Sequence, residues 1–274
     1  MRIGLLSDVH ANKPALQVAL TSLRKAEIDK LLVAGDLVGY GAQPNECVTM
    51  LAEAGAHCVA GNHDLFVLDR LPATRFPTLA RSSAEITRSL LSADVRSFLA
   101  SLPLTLRVGN LLMAHGSPAN PEEYVVKESR AFELLSQLTH LAPGTDTLVL
   151  GHTHRQWCVA ASVGTLAAHD RVRPPVAPFL INPGSVGQSR VRERRPRVRF
   201  AIYDVTSAYV DFYQVNYDVE SSARELDRLG LPRSCLHLPP RLREQMKRYL
   251  RRPLANLPSG VKSFLRRRPS DSPW

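Results

Sequence analysis

The chain has 274 residues, of which 44% are apolar and 6% aromatic, and this excludes a disordered protein and predicts one large globular domain with at most a small appendage. The net charge of +10 is unevenly placed, because residues 233–274 carry +9 and residues 190–199 carry +5. The remaining residues sum to −4, so the body of the protein is slightly acidic.

The sequence also bears on where the protein works. Its four cysteines show no close pairing, which suits a reducing compartment better than a disulfide framework. The apolar run before Asp8 is too short and too acidic for a signal peptide. No stretch of about 18 apolar residues exists that would span a membrane. We therefore expect a cytoplasmic protein.

The N-terminal part of the chain alternates between strand and helix patterns. Apolar runs predict three strands, and helical spacing predicts two helices between them, in the order 2–7, 15–26, 30–34, 44–54 and 57–60. Asn12 is the expected N-cap of the first helix, with Pro14 in its first turn. This order predicts parallel strands joined by crossover helices.

The rest of the chain predicts a helical insert and then mainly strands. The predicted helices are 78–102, 129–141 and 219–229, and the predicted strands are 105–108, 111–114, 147–150, 157–162, 178–181, 199–204 and 209–215. A Gly-Asn turn at 109–110 joins the first two strands, and the last four are expected in a second sheet. Beyond Pro232 the sequence is rich in Pro and Arg, so we expect a domain over 1–232 and a basic extension over 233–274.

Polar residues that can bind metals follow five of the predicted strands. They are Asp8 and His10, then Asp36, then Asn62, His63 and Asp64, then His115, and finally His152 and His154. Because open α/β sheets place ligand sites at the carboxyl ends of their strands, these side chains can converge on one cleft. Glycines beside them let the backbone turn sharply.

These residue types indicate a metal centre. Carboxylates, imidazoles and one amide, with no thiolate, form a donor set that suits Mn, Fe, Co, Ni or Zn. Asp8 and His10 can bind one ion because residues i and i+2 share a face, and His152 and His154 either do likewise or divide between two ions. The two oxygens of Asp36 make it the candidate bridge. Each motif alone is weak evidence, but five in order are not.

The motifs D-x-H, GDLVGYG, GNHD, a lone His and GHTH, in this order, resemble those of the calcineurin-like metallophosphoesterases over residues 1–215. The segments GDLVGYGAQPNEC (35–47) and INPGSVGQSR (181–190) resemble a subgroup of small bacterial and archaeal phosphoesterases. The resemblance implies an α/β fold, a four-layer α/β/β/α sandwich of two mixed sheets flanked by helices. It also implies two divalent transition-metal ions, with Mn favoured over Fe, Co, Ni and Zn.

The resemblance further implies a role for each residue. Two sets of metal ligands would share Asp36, and the other members are Asp8, His10 and His154 for one ion and Asn62, His115 and His152 for the second. His63 would protonate the leaving oxygen, and Asp64 would orient His63. A hydroxide on the two ions would attack phosphorus in line, with both ions neutralising charge in the transition state.

One departure from the family bears on the substrate. Phosphoprotein phosphatases of this fold carry a phosphate-gripping Arg after the Gly-Asp motif, whereas residues 37–41 here read LVGYG. Without that guanidinium a dianionic monoester loses a charge-assisted partner, so we expect a phosphodiester of a nucleotide or another small diester. Arg190 is the candidate substrate-binding replacement, although a solvated position in a basic loop is the interpretation we favour. Ala11, where relatives commonly carry Gly, has no clear consequence.

The remaining polar residues are weighed against structural roles. His57, His140, His169 and His237 are expected on the surface or in packing, whereas Asn182 and Ser185 either face the cleft or form a turn. Residues 242–252 predict a basic amphipathic helix. Docking on its own domain or on a second subunit is slightly preferred for this helix over contact with nucleic acid or an anionic membrane.

Three functions compete. A metal-dependent phosphodiesterase is the leading hypothesis. A phosphomonoesterase or phosphoprotein phosphatase is the second, and the missing Arg disfavours it. A non-catalytic scaffold that binds nucleic acid or protein through the basic tail is the third, and the complete set of metal-capable residues disfavours it.

Overall fold

The computed structural model describes residues 1–166 and 170–237. Its helices are α1 (Lys13–Lys25), α2 (Pro44–Glu53), α3 (Asn62–Val67), α4 (Thr78–Leu90), α5 (Ala93–Ser101), α6 (Glu128–Leu141) and α7 (Val219–Arg228). Its strands are β1 (Arg2–Leu6), β2 (Lys30–Val33), β3 (His57–Cys58), β4 (Thr105–Val108), β5 (Leu111–Ala114), β6 (Thr147–Val149), β7 (Gln156–Ala160), β8 (Gly164–Leu166), β9 (Arg171–Val172), β10 (Phe179–Pro183), β11 (Val198–Asp204) and β12 (Tyr209–Val215).

The strands form two mixed sheets of six strands each. Sheet 1 has the order β3-β2-β1-β11-β12-β9, and sheet 2 has the order β4-β5-β6-β10-β7-β8. The three N-terminal strands are parallel, as predicted, and β5, β6 and β10 form a second parallel set. Each sheet therefore has one edge at which several strands end together.

Alternating side chains place the two sheets face to face with helices outside. In β1, Ile3 and Leu5 pack toward sheet 2, whereas Leu6 packs toward the helices. Helices α1, α2, α4, α5 and α7 cover sheet 1, and α6 covers sheet 2 through Leu134 and Leu138. This alternation follows from the two-residue period of a strand. The predicted four-layer α/β/β/α sandwich is confirmed.

The structure corrects three expectations about elements. The predicted helix over 78–102 is two helices, because Ser92 accepts a hydrogen bond from the Val95 amide (3.3 Å) and begins α5. Strands β11 and β12 belong to sheet 1, because β11 pairs antiparallel with β1. The elements α3, β8 and β9 were not predicted. Each is too short to show the periodic pattern of apolar residues by which a helix or a strand is recognised.

Other local predictions are confirmed. Asn12 caps α1 by accepting a hydrogen bond from the Ala15 amide (3.3 Å), and Gly109 turns between β4 and β5 with a φ of +60°. All four cysteines are buried as free thiols. Among the described helices, none combines the length and apolar character needed to cross a membrane.

The chain stays packed on the domain just beyond Pro232. Cys235 and Leu236 are buried in the core beneath the helices that cover sheet 1. The predicted helix over 242–252, the rest of the basic extension and His169 lie outside the described residues.

Truncating Phe200 tests the core between sheet 1 and its helices. This ring is fully buried and stacks on Tyr213 (4.8 Å between ring centroids). Phe200→Ala is expected to lower the free energy of unfolding by about 3–5 kcal/mol, because a buried aromatic leaves a cavity. Urea titration measures the loss. Val163→Ala, at a turn position that is 56% exposed, is the control, and an equal loss there would contradict the assignment.

Candidate metal centre

The predicted ligands meet where strands of both sheets end. Sheet 1 contributes Asp8 and His10 after β1, Asp36 after β2 and Asn62 after β3. Sheet 2 contributes the other three, which are His115 after β5 and His152 and His154 after β6. All seven residues are at most 6% exposed. Two separate sheets therefore build one buried polar cluster.

The ligand atoms fall into two overlapping groups. Asp8, His10, Asp36 and His154 form one, and Asp36, His115 and His152 form the other, with the candidate ligand atoms of each group within 4.8 Å of one another. Asn62 Oδ1 lies 3.1 Å from His115 Nε2 and so extends the second group. Asp36 alone belongs to both groups, which is the position predicted for a bridging carboxylate.

Hydrogen bonds fix which imidazole nitrogens carry protons in the first group. His10 Nδ1 donates to the carbonyl of Val38 (3.2 Å), and His154 Nδ1 donates to the carbonyl of Gln188 (2.6 Å). Each neutral ring therefore directs a lone pair from Nε2, and the two Nε2 atoms lie 3.2 Å apart. Two lone pairs at this distance repel each other, and a cation between them removes the repulsion.

The second group repeats this arrangement. His115 Nδ1 donates to the carbonyl of Ala34 (2.7 Å), and His152 Nε2 donates to the carbonyl of Glu122 (3.2 Å). The remaining nitrogens, His115 Nε2 and His152 Nδ1, face each other at 3.1 Å. Within the described part of the chain, Asp8 Oδ1 and Asp36 Oδ2 are buried without a hydrogen-bond partner. The donors present thus fit a pair of divalent cations.

The protonation states suit metal binding with one exception. Burial lowers the pKa of His152 to about 3 and lowers that of His10, so both rings are neutral at neutral pH. Burial alone would raise the pKa of Asp36, but His115 and His63 hold it well below its usual value. Burial lowers the pKa of His115, but the charge and hydrogen bond of Asp36, the charge of Asp8 and the Ala34 carbonyl together raise it to about 9. A cation must displace that proton.

The ligands are presented from an unusual backbone conformation. Asp8, His10, Asp36, His152 and His154 all have φ between 47° and 63°. Non-glycine residues in this region cost on the order of 1–3 kcal/mol each and cluster at functional sites. Gly61 is needed beside them, because a Cβ there would collide with the carboxylate of Asp36.

His63 and Asp64 lie in the cluster, but not as expected. The His63 ring is 5.0 Å from that of His10 and 4.6 Å from that of Tyr40, and its Nδ1 is buried without a partner. The expectation that Asp64 orients His63 is wrong. Both Asp64 oxygens accept backbone amides instead, from Val38 (3.1 Å) and from Gly61 (2.9 Å), because Asp64 lies in the first turn of α3.

Arg190 is also placed differently from the favoured interpretation. It is partly buried at the cleft, where its Nη1 donates to the Tyr124 hydroxyl (2.9 Å) and to the carbonyl of His152 (3.3 Å). The interpretation as a solvated loop residue is therefore wrong. Tyr124, whose ring lies 3.9 Å from that of His152, was missed. It lies in an irregular segment between β5 and α6, and no motif marks it.

Asn182 and Ser185 support the cluster from outside it. Ser185 Oγ donates to the carbonyl of Asp8 (3.0 Å). Asn182 Nδ2 donates to the carbonyl of Gly151 (2.6 Å) and to Thr153 Oγ1 (3.0 Å). Both residues have a structural role, but only Ser185 lies in the expected turn, because Asn182 belongs to β10 and pairs with Trp157. The end of β10 and the turn after it thereby hold the two loops that carry Asp8 and the His-x-His residues.

Comparisons with known proteins agree with this geometry. Residues 1–208 match the family model of the calcineurin-like phosphoesterase superfamily domain. The crystal structure of a metallophosphoesterase from Sphaerobacter thermophilus is 32% identical, with a TM-score of 0.72 over 86% of this chain and 97% of that one. An uncharacterized protein of Methanocaldococcus jannaschii is 29% identical over 84% of this chain and 93% of its own length. A hypothetical protein from Pyrococcus horikoshii shares the fold at 20% identity, with a TM-score of 0.69 over 86% of this chain and 96% of that one.

Asn182→Ala tests the support that the end of β10 gives to the loop carrying His152 and His154. The substitution removes one of two donors to the buried carbonyl of Gly151, which still accepts from the Thr153 amide (2.7 Å), so the free energy of unfolding should fall by about 0.5–1.5 kcal/mol. Metal content after dialysis should fall as well, because Gly151 precedes two candidate ligands. Gln137→Ala, on the exposed face of α6, is the control and should change stability by less than about 0.5 kcal/mol. Full metal retention in the Asn182 variant would show that the contact of Asn182 with Gly151 does not hold the candidate ligands in place.

Proposed function

The chain belongs to the calcineurin-like phosphoesterase superfamily, and we propose that it is a dinuclear phosphodiesterase acting on a nucleotide or another small diester. The family and the clustered carboxylates and imidazoles make it a metal-dependent phosphoesterase. The observation that carries the dinuclear proposal is the sharing of Asp36 by two groups of facing acceptor atoms. Such a shared carboxylate is the element that a pair of adjacent cations requires.

In this proposal the seven buried ligands divide between two cations. Asp8, His10 and His154 would hold one, Asn62, His115 and His152 would hold the other, and Asp36 would be shared by both. When bound, a cation pair supplies Lewis-acid polarisation of the phosphoryl group and lowers the pKa of attacking water. The nitrogen and oxygen donors, without a thiolate, support manganese among the metals this set accepts.

His63 is the proposed proton donor to the leaving oxygen. Its buried ring is beside His10, and its Nδ1 has no hydrogen-bond partner among the described residues, which supports a role as the proton donor to a leaving oxygen. Burial lowers the pKa of His63 to about 4. An anionic phosphoester nearby raises that pKa, because negative charge favours the imidazolium form.

Arg190 is the proposed substrate-binding cation, and it keeps the second candidate function open. A guanidinium at the cleft favours any anionic phosphoester, so it also supports a phosphomonoesterase. Residues 37–41 carry no Arg, and Nη1 of Arg190 is already engaged by Tyr124 and His152. One partly engaged guanidinium matches the single charge of a diester better than the double charge of a monoester.

The four buried free thiols support the proposed cytoplasmic location, because reducing compartments keep cysteines unpaired.

Two chromogenic reporters test the proposed function. Metal-stripped protein receives Mn, Co, Ni, Zn or Mg and is assayed with bis-p-nitrophenyl phosphate and with p-nitrophenyl phosphate. We expect metal-dependent cleavage that favours the diester. A preference for the monoester would instead assign the phosphomonoesterase. Failure of every metal to restore cleavage of either reporter would reject both enzymes and return the scaffold hypothesis.

Replacing Asp36 separates a shared ligand from an ordinary one. Asp36→Asn should lower the affinity for both ions by about 100-fold or more, since even substitutions outside the ligand shell lower metal affinity by about 10–100-fold. Metal content by mass spectrometry after dialysis against graded chelator measures this. His10→Ala, which alters one group only, is the matched comparison. Loss of a single ion from the Asp36 variant would remove Asp36 as the bridge.

Replacing His63 separates proton donation from metal binding. His63→Ala should keep both ions and lose about 10²–10⁴-fold in kcat on diesters with a poor leaving group. The loss should be small on a p-nitrophenyl diester, whose leaving oxygen needs no proton. If metal content falls in parallel with activity, His63 is a ligand and not the proton donor.

A further inference from the structure

The ring of Tyr40 lies inside the cluster, between a candidate ligand and the proposed proton donor. Its centroid is 4.8 Å from that of His10, in an edge-to-face arrangement, and 4.6 Å from that of His63. Only 7% of Tyr40 is exposed. The side chain therefore borders the space in which His63 would meet a leaving oxygen.

The backbone around Tyr40 is shaped to bring this ring close. Tyr40 has a φ of +58°, a left-handed conformation that is strained for a bulky residue and that five of the candidate ligands share. A Cβ on Gly39 would collide with His63 Nδ1, and one on Gly41 would collide with neighbouring backbone carbonyls. The Tyr40 amide donates to Ser83 Oγ of α4 (3.3 Å). Strain of this kind collects at functional sites, so it indicates a use for the side chain.

Packing explains the ring of Tyr40 but not its hydroxyl. A buried tyrosine usually finds a hydrogen-bond partner, as the hydroxyls of Tyr124, Tyr203 and Tyr217 do in this protein. Within the part of the chain that the structure describes, no hydrogen bond joins the Tyr40 hydroxyl to another group. A phenylalanine would fill the same space without a polar atom. The hydroxyl is therefore available to a ligand that enters the cleft.

Charged groups of the site act on this hydroxyl. Burial raises the pKa of Tyr40 to about 12, the charge of Arg190 opposes the rise, and the charge of Asp36 adds to it. The hydroxyl thus keeps its proton at neutral pH and lies within electrostatic reach of both groups. For His63, burial lowers the pKa, Asp36 opposes this and the charge of Arg190 adds to it. Tyr40 and His63 therefore both lie within reach of the proposed substrate-binding cation.

We propose that Tyr40 is a catalytic residue whose hydroxyl donates a hydrogen bond to a non-bridging oxygen of the phosphoryl group undergoing hydrolysis. This rests on the proposed function. Water attacks phosphorus, the bond to the leaving oxygen breaks, and His63 gives that oxygen a proton. Charge on the non-bridging oxygens is redistributed during this step, and a donor fixed in place beforehand stabilises it. Tyr40 keeps its own proton, and none of its covalent bonds changes.

The experiment compares Tyr40→Phe with the parent protein, both full-length and loaded with manganese. The substitution removes one oxygen and leaves the ring between His10 and His63. Tyr209→Phe is the matched control, because Tyr209 pairs with Asp204 opposite the first residue of β1, at the end of sheet 1 away from the cluster. Metal content is measured by mass spectrometry, and the affinity for inorganic phosphate is measured by calorimetry. Values of kcat and KM are measured on bis-p-nitrophenyl phosphate and on diphenyl phosphate, which has the poorer leaving group.

We expect Tyr40→Phe to keep its metal and to lose about 10²-fold or more in kcat, which is the loss found when one donor to a developing charge is removed. The loss should be equal on the two diesters, because the contact is at a non-bridging oxygen and not at the leaving oxygen. Inorganic phosphate should bind only about tenfold more weakly, since a single hydrogen bond to a resting anion contributes less. Tyr209→Phe should match the parent protein in every measurement.

Three results would overturn the inference while leaving the proposed function intact. An active Tyr40→Phe variant with the kcat of the parent would show that the hydroxyl makes no contact in the reaction. A loss confined to diphenyl phosphate would show that Tyr40 acts through His63, as a positioning residue. A loss of metal in parallel with activity would assign Tyr40 to the support of the ligands.

A failure of the proposed function would look different. The parent protein would then hydrolyse neither diester, and the catalytic role of Tyr40 would be rejected with it. Phosphate affinity would still decide the contact itself. Equal affinities of the parent and Tyr40→Phe would reject the hydrogen bond to a phosphoryl oxygen, whereas weaker binding by the variant would leave Tyr40 as an anion-binding residue only.

Discussion

Hydrogen-bond acceptors face one another in a buried cluster where strands of the two sheets end, and a proton or a cation must relieve their mutual repulsion. Four imidazoles have one nitrogen tied to a backbone carbonyl, so their other nitrogens converge on one another and on the oxygens of Asp8 and Asp36. Burial prevents water from solving the problem. A bound cation would neutralise this repulsion, and the surrounding structure holds the acceptor atoms in the positions that bind it.

Several separate segments of the fold hold this cluster in place. Backbone carbonyls of Ala34, Val38, Glu122 and Gln188 set the tautomers, and each comes from a different segment. Ligands in left-handed backbone conformations add strain that tight turns must hold. The end of β10 and the turn after it supply part of that support, although none of their side chains belongs to either ligand group.

The convergence of the candidate ligands was predictable from sequence because each follows an apolar run, and parallel strands that end together bring their last residues together. The layers followed from the same periodicity. Sheet membership of β11 and β12 was not predictable, since pairing with β1 joins residues about 200 positions apart and leaves no local mark. The prediction for Asp64 failed for a different reason. Its position next to His63 in the sequence suggested a contact between the two side chains, but the first turn of α3 directs the Asp64 carboxylate to backbone amides. The contact between Arg190 and Tyr124 likewise joins segments that only the fold brings together.

The division of ligands between the sheets has a mechanical meaning. Asp8, His10, Asp36 and Asn62 follow strands of one sheet, and His115, His152 and His154 follow strands of the other, so metal bound by residues of both sets would link the two sheets at one end. Binding energy then resists any sliding of the layers, in proportion to how tightly the ions are held. A change of side-chain volume between the two sheets, far from any candidate ligand, would alter the distance between the two sets of candidate ligands. Metal affinity would then depend on how the two sheets pack together.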